Sequence, residues 1–401
     1  MNACWVPAAL RSGRKPATRP SCEGQGAVPS NAGGRKGRGG VARIARVESI
    51  ILLDRYQLVR VHTTDGVAGV GEVSPMQVAV THALVESALA PRIVGQDAAD
   101  IERLWQRMYY GAYKLGPMGA LLEAIAGIDI ALWDIAGQVA GQPLYRLFGG
   151  KVREKATVYA SSMKRGMSPV DEARRAAQFQ EQGYGAYKLH SATPWMYDSG
   201  FDGTLKTVKE VRAAVGDAFD VLVDVNNAYL PHTAIRMARR LEELGVWHFE
   251  EPLAAHDYAG YASLADAVDI PIAAGEQEYT LWQFRDLILQ GRVDIIQPDV
   301  IKCGGITEFR KIAALAQAFN KPITVHNTQP TIGTVAHLHL WVSCPSCIYA
   351  QEYNIEPHEL RDHTPIWVEP VLVEAGHMEV PDRPGLGVRI DEDALRRLRS
   401  T

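Results

Sequence analysis

Three acidic residues stand at a regular interval in the second half of the chain. Asp224, Glu250 and Glu276 follow one another every 26 residues, and each closes a short apolar run that is typical of a buried strand. One strand, one helix and two loops take about 25 residues in a β/α barrel. The carboxyl ends of its strands open into one bowl, where three carboxylates would repel one another without a cation. Because hard oxygen ligands suit Mg²⁺, the spacing predicts one magnesium ion per subunit.

The same period continues beyond the three acids. Asp299, His326 and Glu352 follow at intervals of 23, 27 and 26 residues, each near the end of another apolar run. A carboxylate that accepts a hydrogen bond from an imidazole fixes its tautomer and raises its basicity. We therefore expect Asp299 and His326 to form a general acid/base pair, and Glu352 to hydrogen-bond substrate oxygen atoms.

Two further pairs of polar residues are spaced two positions apart, which places both members of a pair on one side of the chain. Lys188 and His190 form one pair, and Asp224 and Asn226 form the other. Lys188 is a cation that could bind a substrate carboxylate, and either Lys188 or His190 could act as the base. Asn226 is a candidate for binding substrate hydroxyls.

Eight apolar segments between residues 156 and 356 predict the strands of a barrel that carries the site. They lie at 157–160, 186–190, 221–224, 246–250, 272–276, 293–299, 322–326 and 347–352. Amphipathic segments such as 233–244, 281–290 and 306–319 predict the intervening helices. The polar stretch 191–204 is expected to form a loop over the bowl. The pattern indicates an α/β barrel.

Residues 43–155 show a different pattern, with two strands joined at 53–56, a third strand or loop from Gly69 and a helix over 119–140. This indicates an α+β module, which residues 357–401 are expected to complete. Residues 1–42 are predicted to be a disordered basic extension, because nine Lys and Arg face one acid in the first 46 residues. A transit peptide or a nucleic-acid-binding arm are the alternatives, and an extension without a role is favoured.

Composition narrows the possible partners. The formal net charge of −4 argues against nucleic acid or an anionic membrane as a partner, and no apolar run approaches the roughly 18 residues that span a bilayer. Five cysteines, an odd and sparse number, favour the reducing cytoplasm as the location.

Four motifs together resemble the enolase superfamily and, within it, the mandelate racemase-like subgroup. They are Gly-Ile-Asp-Ile-Ala-Leu-Trp-Asp-Ile-Ala-Gly at 127–137, Phe-Glu-Glu-Pro at 249–252, Ala-Gly-Glu at 274–276 and Pro-Asp-Val-Ile-Lys-Cys-Gly-Gly at 298–305. The resemblance implies a modified (β/α)7β TIM barrel with an α+β capping domain made from both chain ends. It also implies a small-molecule carboxylate substrate and a homo-oligomer, from dimer to octamer.

The resemblance also implies roles for the site residues. It places Mg²⁺ on Asp224, Glu250 and Glu276, matches Asp299 and His326 to the subgroup's dyad, and matches Glu352 to a carboxylic acid that stabilises an enolate. Asp299 stands where the muconate-lactonizing and dipeptide-epimerase branch has lysine, which argues against that branch. Mandelate racemase has Lys-x-Lys on the second strand, whereas this chain has Lys-x-His. Galactonate and mannonate dehydratase-like members have a histidine at the position of Asn226, so those two assignments lose support.

These features favour a Mg²⁺-dependent dehydratase of a sugar acid, either an aldonate or an aldarate. The enzyme would remove the proton α to the carboxylate and eliminate the β-hydroxyl to give a 2-keto-3-deoxy acid, with Lys188 or His190 as base and His326 as acid, or the reverse. Residues 53–56 and the loop after Glu72 are expected to select the substrate. The alternatives are a racemase or epimerase of a 2-hydroxy acid that uses two bases and, from another class, a non-catalytic binding barrel.

Overall fold

The computed structural model describes residues 42–192, 197–198 and 202–400. The predicted basic extension therefore lies outside the described residues except for Ala42, and so does much of the predicted loop at 191–204. No helix in the described ranges is long and apolar enough to cross a membrane.

The first layer is an antiparallel three-stranded sheet covered by a long helix. Its strands are β1 (Ile44–Leu52), β2 (Tyr56–Thr63) and β3 (Ala68–Val73). A Cβ atom added to Gly71 would lie 2.0 Å from the carbonyl oxygen of Gly127, so glycine at 71 lets the sheet approach the helix closely. The helices that follow are α1 (Val78–Ala83), α2 (Ala90–Ile93), α3 (Ile101–Ala112), α4 (Ala120–Ala140) and α5 (Leu144–Leu147).

The second layer is a parallel barrel. Strands β4 (Ala156–Ser161), β5 (Ala186–His190), β6 (Asp220–Asp224), β7 (Val246–Glu250), β8 (Ile272–Ala274) and β9 (Ile295–Ile296) pair in chain order. Strand β10 (Gln351–Asn354) pairs in parallel with β4. The connecting helices are α6 (Pro169–Glu181), α7 (Thr204–Val215), α8 (Pro231–Glu243), α9 (Tyr258–Ala265), α10 (Thr280–Asp286), α11 (Ile306–Ala318) and α12 (Ile332–Ser343).

The seventh barrel position is built differently from the others. The segment 322–326 forms a single parallel bridge, from Ile323 to Ile296. On its other side, side chains of β10 replace a ladder: Gln351 accepts a hydrogen bond from the Val325 amide and donates one to the Ile323 carbonyl. The Asn327 amide donates to Glu352 Oε2 over 2.7 Å. Side chains, together with the backbone hydrogen bond from the Ile323 amide to the Ser346 carbonyl, therefore close the barrel between its seventh and eighth positions.

The C-terminal segment contacts both the barrel and the first layer. Its elements are β11 (Val373–Glu374), β12 (His377–Met378) and α13 (Glu392–Leu398). Strand β12 pairs with β4, whereas Arg399 bridges to Leu52 and Ser400 donates its backbone amide proton to the Ile51 carbonyl. The predicted boundaries at 43, 155 and 357 remain a prediction.

The predicted α/β barrel with an α+β cap is observed, and the fifth to eighth predicted strands need correction. The fifth ends at Ala274 rather than at 276, and the sixth covers Ile295–Ile296 rather than 293–299. The prediction of an eighth strand over 347–352 was wrong in its bounds, because the strand covers Gln351–Asn354. Ile348 and Tyr349 are 60% and 41% exposed and precede it. The predicted seventh strand is reduced to the single bridge of Ile323.

Candidate active site

Three buried carboxylates meet at one end of the barrel. One oxygen atom each from Asp224, Glu250 and Glu276 lies within 4.8 Å of the others. The first two residues end β6 and β7, but Glu276 lies two residues beyond β8, after Gly275 with a φ of +137°. A side chain at Gly275 would be strained by this φ and would meet Phe284 at 2.8 Å. The all-oxygen donor set fits Mg²⁺ rather than a softer metal.

Lys188 neutralises part of this cluster from β5. Its Nζ lies 2.6 Å from Glu250 Oε1, 2.7 Å from Glu352 Oε1 and 3.7 Å from Asp224 Oδ2. Burial alone would lower the pKa of Lys188, but the surrounding carboxylates outweigh burial and hold it well above its usual value. Lys188 therefore serves as the counter-charge of these carboxylates where no cation balances them.

His190 lies on the same strand and contacts a different set of atoms. Its Nε2 is 2.9 Å from Asp224 Oδ2, and its Nδ1 is 2.5 Å from the Ser162 carbonyl oxygen. Because a carbonyl oxygen only accepts, this contact places a proton on Nδ1. The Nε2 atom is then the ring nitrogen that can exchange a proton at the site.

Asn226 follows β6 in a left-handed backbone conformation with a φ of +42°. Its backbone amide donates to Asp224 Oδ1 over 2.8 Å, so it braces a predicted metal ligand. Its side-chain oxygen accepts a hydrogen bond from the Arg165 guanidinium, which reaches over from the loop after β4. The amide therefore links this loop to the carboxylate cluster.

Asp299 and His326 form a hydrogen-bonded pair. His326 Nδ1 lies 2.7 Å from Asp299 Oδ2, and its Nε2 lies 3.2 Å from Glu276 Oε2. Burial alone would raise the pKa of Asp299, but the hydrogen bond with His326 holds it well below its usual range. Burial would lower the pKa of His326, but Glu276 and Asp299 raise it to about 9. The pair has the geometry of a general acid/base dyad.

Glu352 accepts three hydrogen bonds. Ser161 Oγ and Lys188 Nζ each lie 2.7 Å from its Oε1, and the Asn327 amide contacts its Oε2. Burial raises the pKa of this carboxyl, but Lys188 and His326 outweigh burial and lower it below its usual value. These contacts favour the ionised carboxylate, and the predicted role as a carboxylic acid stays a prediction.

A cavity of about 200 Å³ lies above these groups. It is lined by eight of the nine predicted site residues, and Glu250 is fully buried beside them. The cap contributes Ser74, Pro75 and Met76 from the predicted loop after Glu72, and no residue of 53–56 lines the cavity. The lining residues that the sequence interpretation did not single out are Met163, Arg165, Gln277, Ile301, Lys302 and Thr328.

Two family models match most of the chain. The model described as the mandelate racemase/muconate lactonizing enzyme N-terminal domain matches residues 50–149, and the enolase C-terminal domain-like model matches residues 171–394. The chain belongs to the enolase superfamily. It is an enzyme of the mandelate racemase/muconate lactonizing enzyme family within that superfamily, as the motifs predicted.

Similar proteins of this superfamily include sugar-acid dehydratases. The chain is 34% identical to an arabinonate dehydratase of Saccharolobus solfataricus, over 82% of this chain and 87% of that protein. It is 36% identical to a D-galactonate dehydratase of Ralstonia nicotianae, over 87% and 92%. A mandelate racemase/muconate lactonizing protein from Paracoccus denitrificans, solved as a magnesium complex, has a TM-score of 0.83 at 34% identity. This alignment covers 89% of this chain and 98% of that one.

Proposed function

We propose that the enzyme is a Mg²⁺-dependent dehydratase of a sugar acid, with one ion per subunit bound by Asp224, Glu250 and Glu276. The observation that carries the proposal is the order of groups around the bowl. Candidate bases lie on the second strand, the carboxylate cluster follows on the third to fifth, and the Asp299–His326 pair comes from the sixth and seventh. The sugar-acid dehydratases among the relatives support the same reaction class.

Each step has a residue that suits it. When bound, the cation would neutralise the substrate carboxylate and favour loss of the weakly acidic neighbouring proton. We assign Lys188 to binding that carboxylate, because its ammonium group lies against the cluster that would hold the cation. His190 would take the proton from C2 at Nε2 once the cation, rather than this nitrogen, occupies Asp224 Oδ2, while the Ser162 carbonyl holds its Nδ1 proton.

His326 completes the elimination. Its Nε2 gives a proton to the hydroxyl on C3, the C3–O bond breaks and water leaves, and the resulting enol tautomerises to a 2-keto-3-deoxy acid. Asp299 stabilises the protonated imidazole and fixes its orientation through the 2.7 Å contact. Asn226, which reaches the cavity beside Asp224, is assigned to a substrate hydroxyl.

A racemase or epimerase is the second candidate, because His190 and His326 lie on well-separated strands of the same cavity. With one base on each side of the α-carbon, removal of the proton from one face and return to the other would invert the centre. The structural difference between the reactions is only whether His326 reaches the C3 hydroxyl or C2.

One experiment separates these functions. Proton NMR in D₂O with Mg²⁺ would follow a panel of aldonic, aldaric and aromatic 2-hydroxy acids. We expect the signals of a 2-keto-3-deoxy product from at least one sugar acid. Loss of the α-proton signal without elimination would instead establish racemisation or epimerisation and refute the dehydratase. A His190→Asn variant that keeps wild-type elimination would refute the assignment of the base.

A further inference from the structure

Lys302 is a buried cation in the active-site cavity. It lies three residues after Asp299, is 6% exposed and lines the cavity. Among the residues that the structure describes, no carboxylate oxygen lies within 4.0 Å of its ammonium group and no acceptor hydrogen-bonds it. A buried ammonium ion without a close counter-charge is costly, so an anion in the cavity would stabilise it.

The other cations of the cavity divide into two kinds. Lys188 contacts three carboxylates and His326 contacts two. Arg165 resembles Lys302, because within the described ranges no carboxylate lies within 4.0 Å of its guanidinium, which contacts the amide oxygen of Asn226. Two cationic side chains therefore face the cavity without a carboxylate of the protein against them.

Three buried acids that interact with the charge of Lys302 are held by other donors. Glu123, Glu251 and Glu278 act on Lys302 at longer range, and burial raises the pKa of each. Each accepts a hydrogen bond from a neutral side chain, Tyr279, Asn227 and Tyr258 respectively. These acids therefore offset part of the charge of Lys302 at a distance but do not form an ion pair or hydrogen bond with its ammonium group.

The cap holds the Lys302 loop in place. Trp105 Nε1 donates to the Gly304 carbonyl over 2.8 Å, and Asp129 Oδ2 accepts from the Thr307 amide over 2.9 Å. A Cβ atom at Gly305 would meet Asp129 at 2.5 Å, so the loop and helix α4 approach as closely as glycine permits. The backbone of the Lys302 loop is therefore fixed by the cap, which reduces the entropy cost of ordering this loop when a ligand binds.

We propose that Lys302 and Arg165 form a second anion subsite, and that the substrate is an aldarate, a sugar acid with a carboxylate at each end. This inference rests on the proposed dehydratase function. One substrate carboxylate would bind Lys188 and the cation held by Asp224, Glu250 and Glu276. The second would give Lys302 and Arg165 the counter-charge that the protein does not provide. The terminal hydroxyl of an aldonate gives no such charge.

The test compares an aldarate and an aldonate of matched configuration at C2 to C5 on the magnesium-loaded enzyme. We expect kcat/KM to be higher for the aldarate, and the aldarate-to-aldonate ratio to fall about 10- to 100-fold in Lys302→Met, as for loss of a charge-assisted hydrogen bond. Lys302→Arg should recover part of the ratio. Lys164→Met is the control, since this exposed neighbour of Arg165 does not line the cavity.

Two results would overturn the inference: a wild-type preference for the aldonate, or an unchanged ratio in Lys302→Met. If Lys302→Met does not fold, the ratio of kcat/KM for the aldarate and the aldonate in the wild type tests the inference alone. If neither acid reacts, the dehydratase proposal fails for this pair of substrates. The affinities of the two acids, measured by calorimetry, then test the subsite separately. Tighter binding of the aldarate to the wild type would support it, and equal or weaker binding would refute it.

Discussion

Replacing Glu72 by glutamine should make the protein less sensitive to alkaline pH. Glu72 lies on β3, and its oxygens accept hydrogen bonds from Thr331 Oγ1 over 2.7 and 2.8 Å and from the Gly333 amide over 2.6 Å. It thus joins the cap to the N-terminus of α12. Burial raises its pKa from 4.5 to about 7. Glutamine can keep these contacts, with its amide donating to Thr331 and its carbonyl accepting from Gly333.

The sign follows from the raised pKa. Between pH 4.5 and about 7 the folded protein keeps a proton on Glu72 that the unfolded chain has lost, so stability falls as pH rises through this window. The folded and unfolded pKa values of Glu72 differ by about 2.5, and at 1.36 kcal/mol per pH unit this difference corresponds to about 3 kcal/mol of stability in full. We therefore expect the stability of Glu72→Gln relative to wild type to grow by about 2 to 3 kcal/mol from about pH 5 to pH 8.5.

Urea denaturation followed by circular dichroism at several pH values measures this difference. Subtracting the unfolding free energy of the wild type from that of the variant cancels the contributions of all other titrating groups, provided that these groups do not interact with Glu72. Glu243→Gln is the control, because the Glu243 side chain on α8 is 65% exposed. A stability difference that is constant across the pH range, or that shrinks as pH rises, would show that Glu72 is ionised in the folded protein and would refute the reasoning.

Three further predictions concern the site and the N-terminal extension. Glu276→Gln should weaken Mg²⁺ binding at least about tenfold by removing a charged ligand, and wild-type affinity in calorimetry would contradict the proposed ligand set. His326→Asn should slow β-elimination by about 10²- to 10⁴-fold in a product assay, the usual contribution of a general acid, and unchanged turnover would exclude that role. A chain that begins at Ala42 should keep wild-type turnover, and loss of activity would count against an extension without a role.

The sequence predicted well those barrel strands that are mostly buried and end in a polar residue. The predicted bounds of β5 and β7 match the structure, and β6 ends at Asp224 as expected. The prediction failed at β10, because Ile348 and Tyr349 are apolar residues of an exposed connection, which composition alone does not distinguish from a buried strand.

The sequence analysis missed several cavity residues for a different reason. Lys302 lies within a motif that marked the family, but its position beyond the strand end breaks the period that identified the other site residues. Its burial depends on contacts between its loop and the cap, made by Trp105 and Asp129 from distant parts of the sequence. Arg165 likewise reaches the cavity from a loop that has no periodic pattern. Long-range packing of this kind is not encoded in local spacing.

The side-chain closure beside β10 has a consequence for protein engineering. Glu352 contacts Lys188 through one oxygen and the Asn327 amide through the other, so a single residue serves both the chemistry and the barrel wall. A library that randomises this position in search of new reactions would also loosen the joint between the seventh and eighth segments. Hydrogen exchange at the Asn327 amide would reveal which inactive clones have lost only a charge and which have an opened barrel.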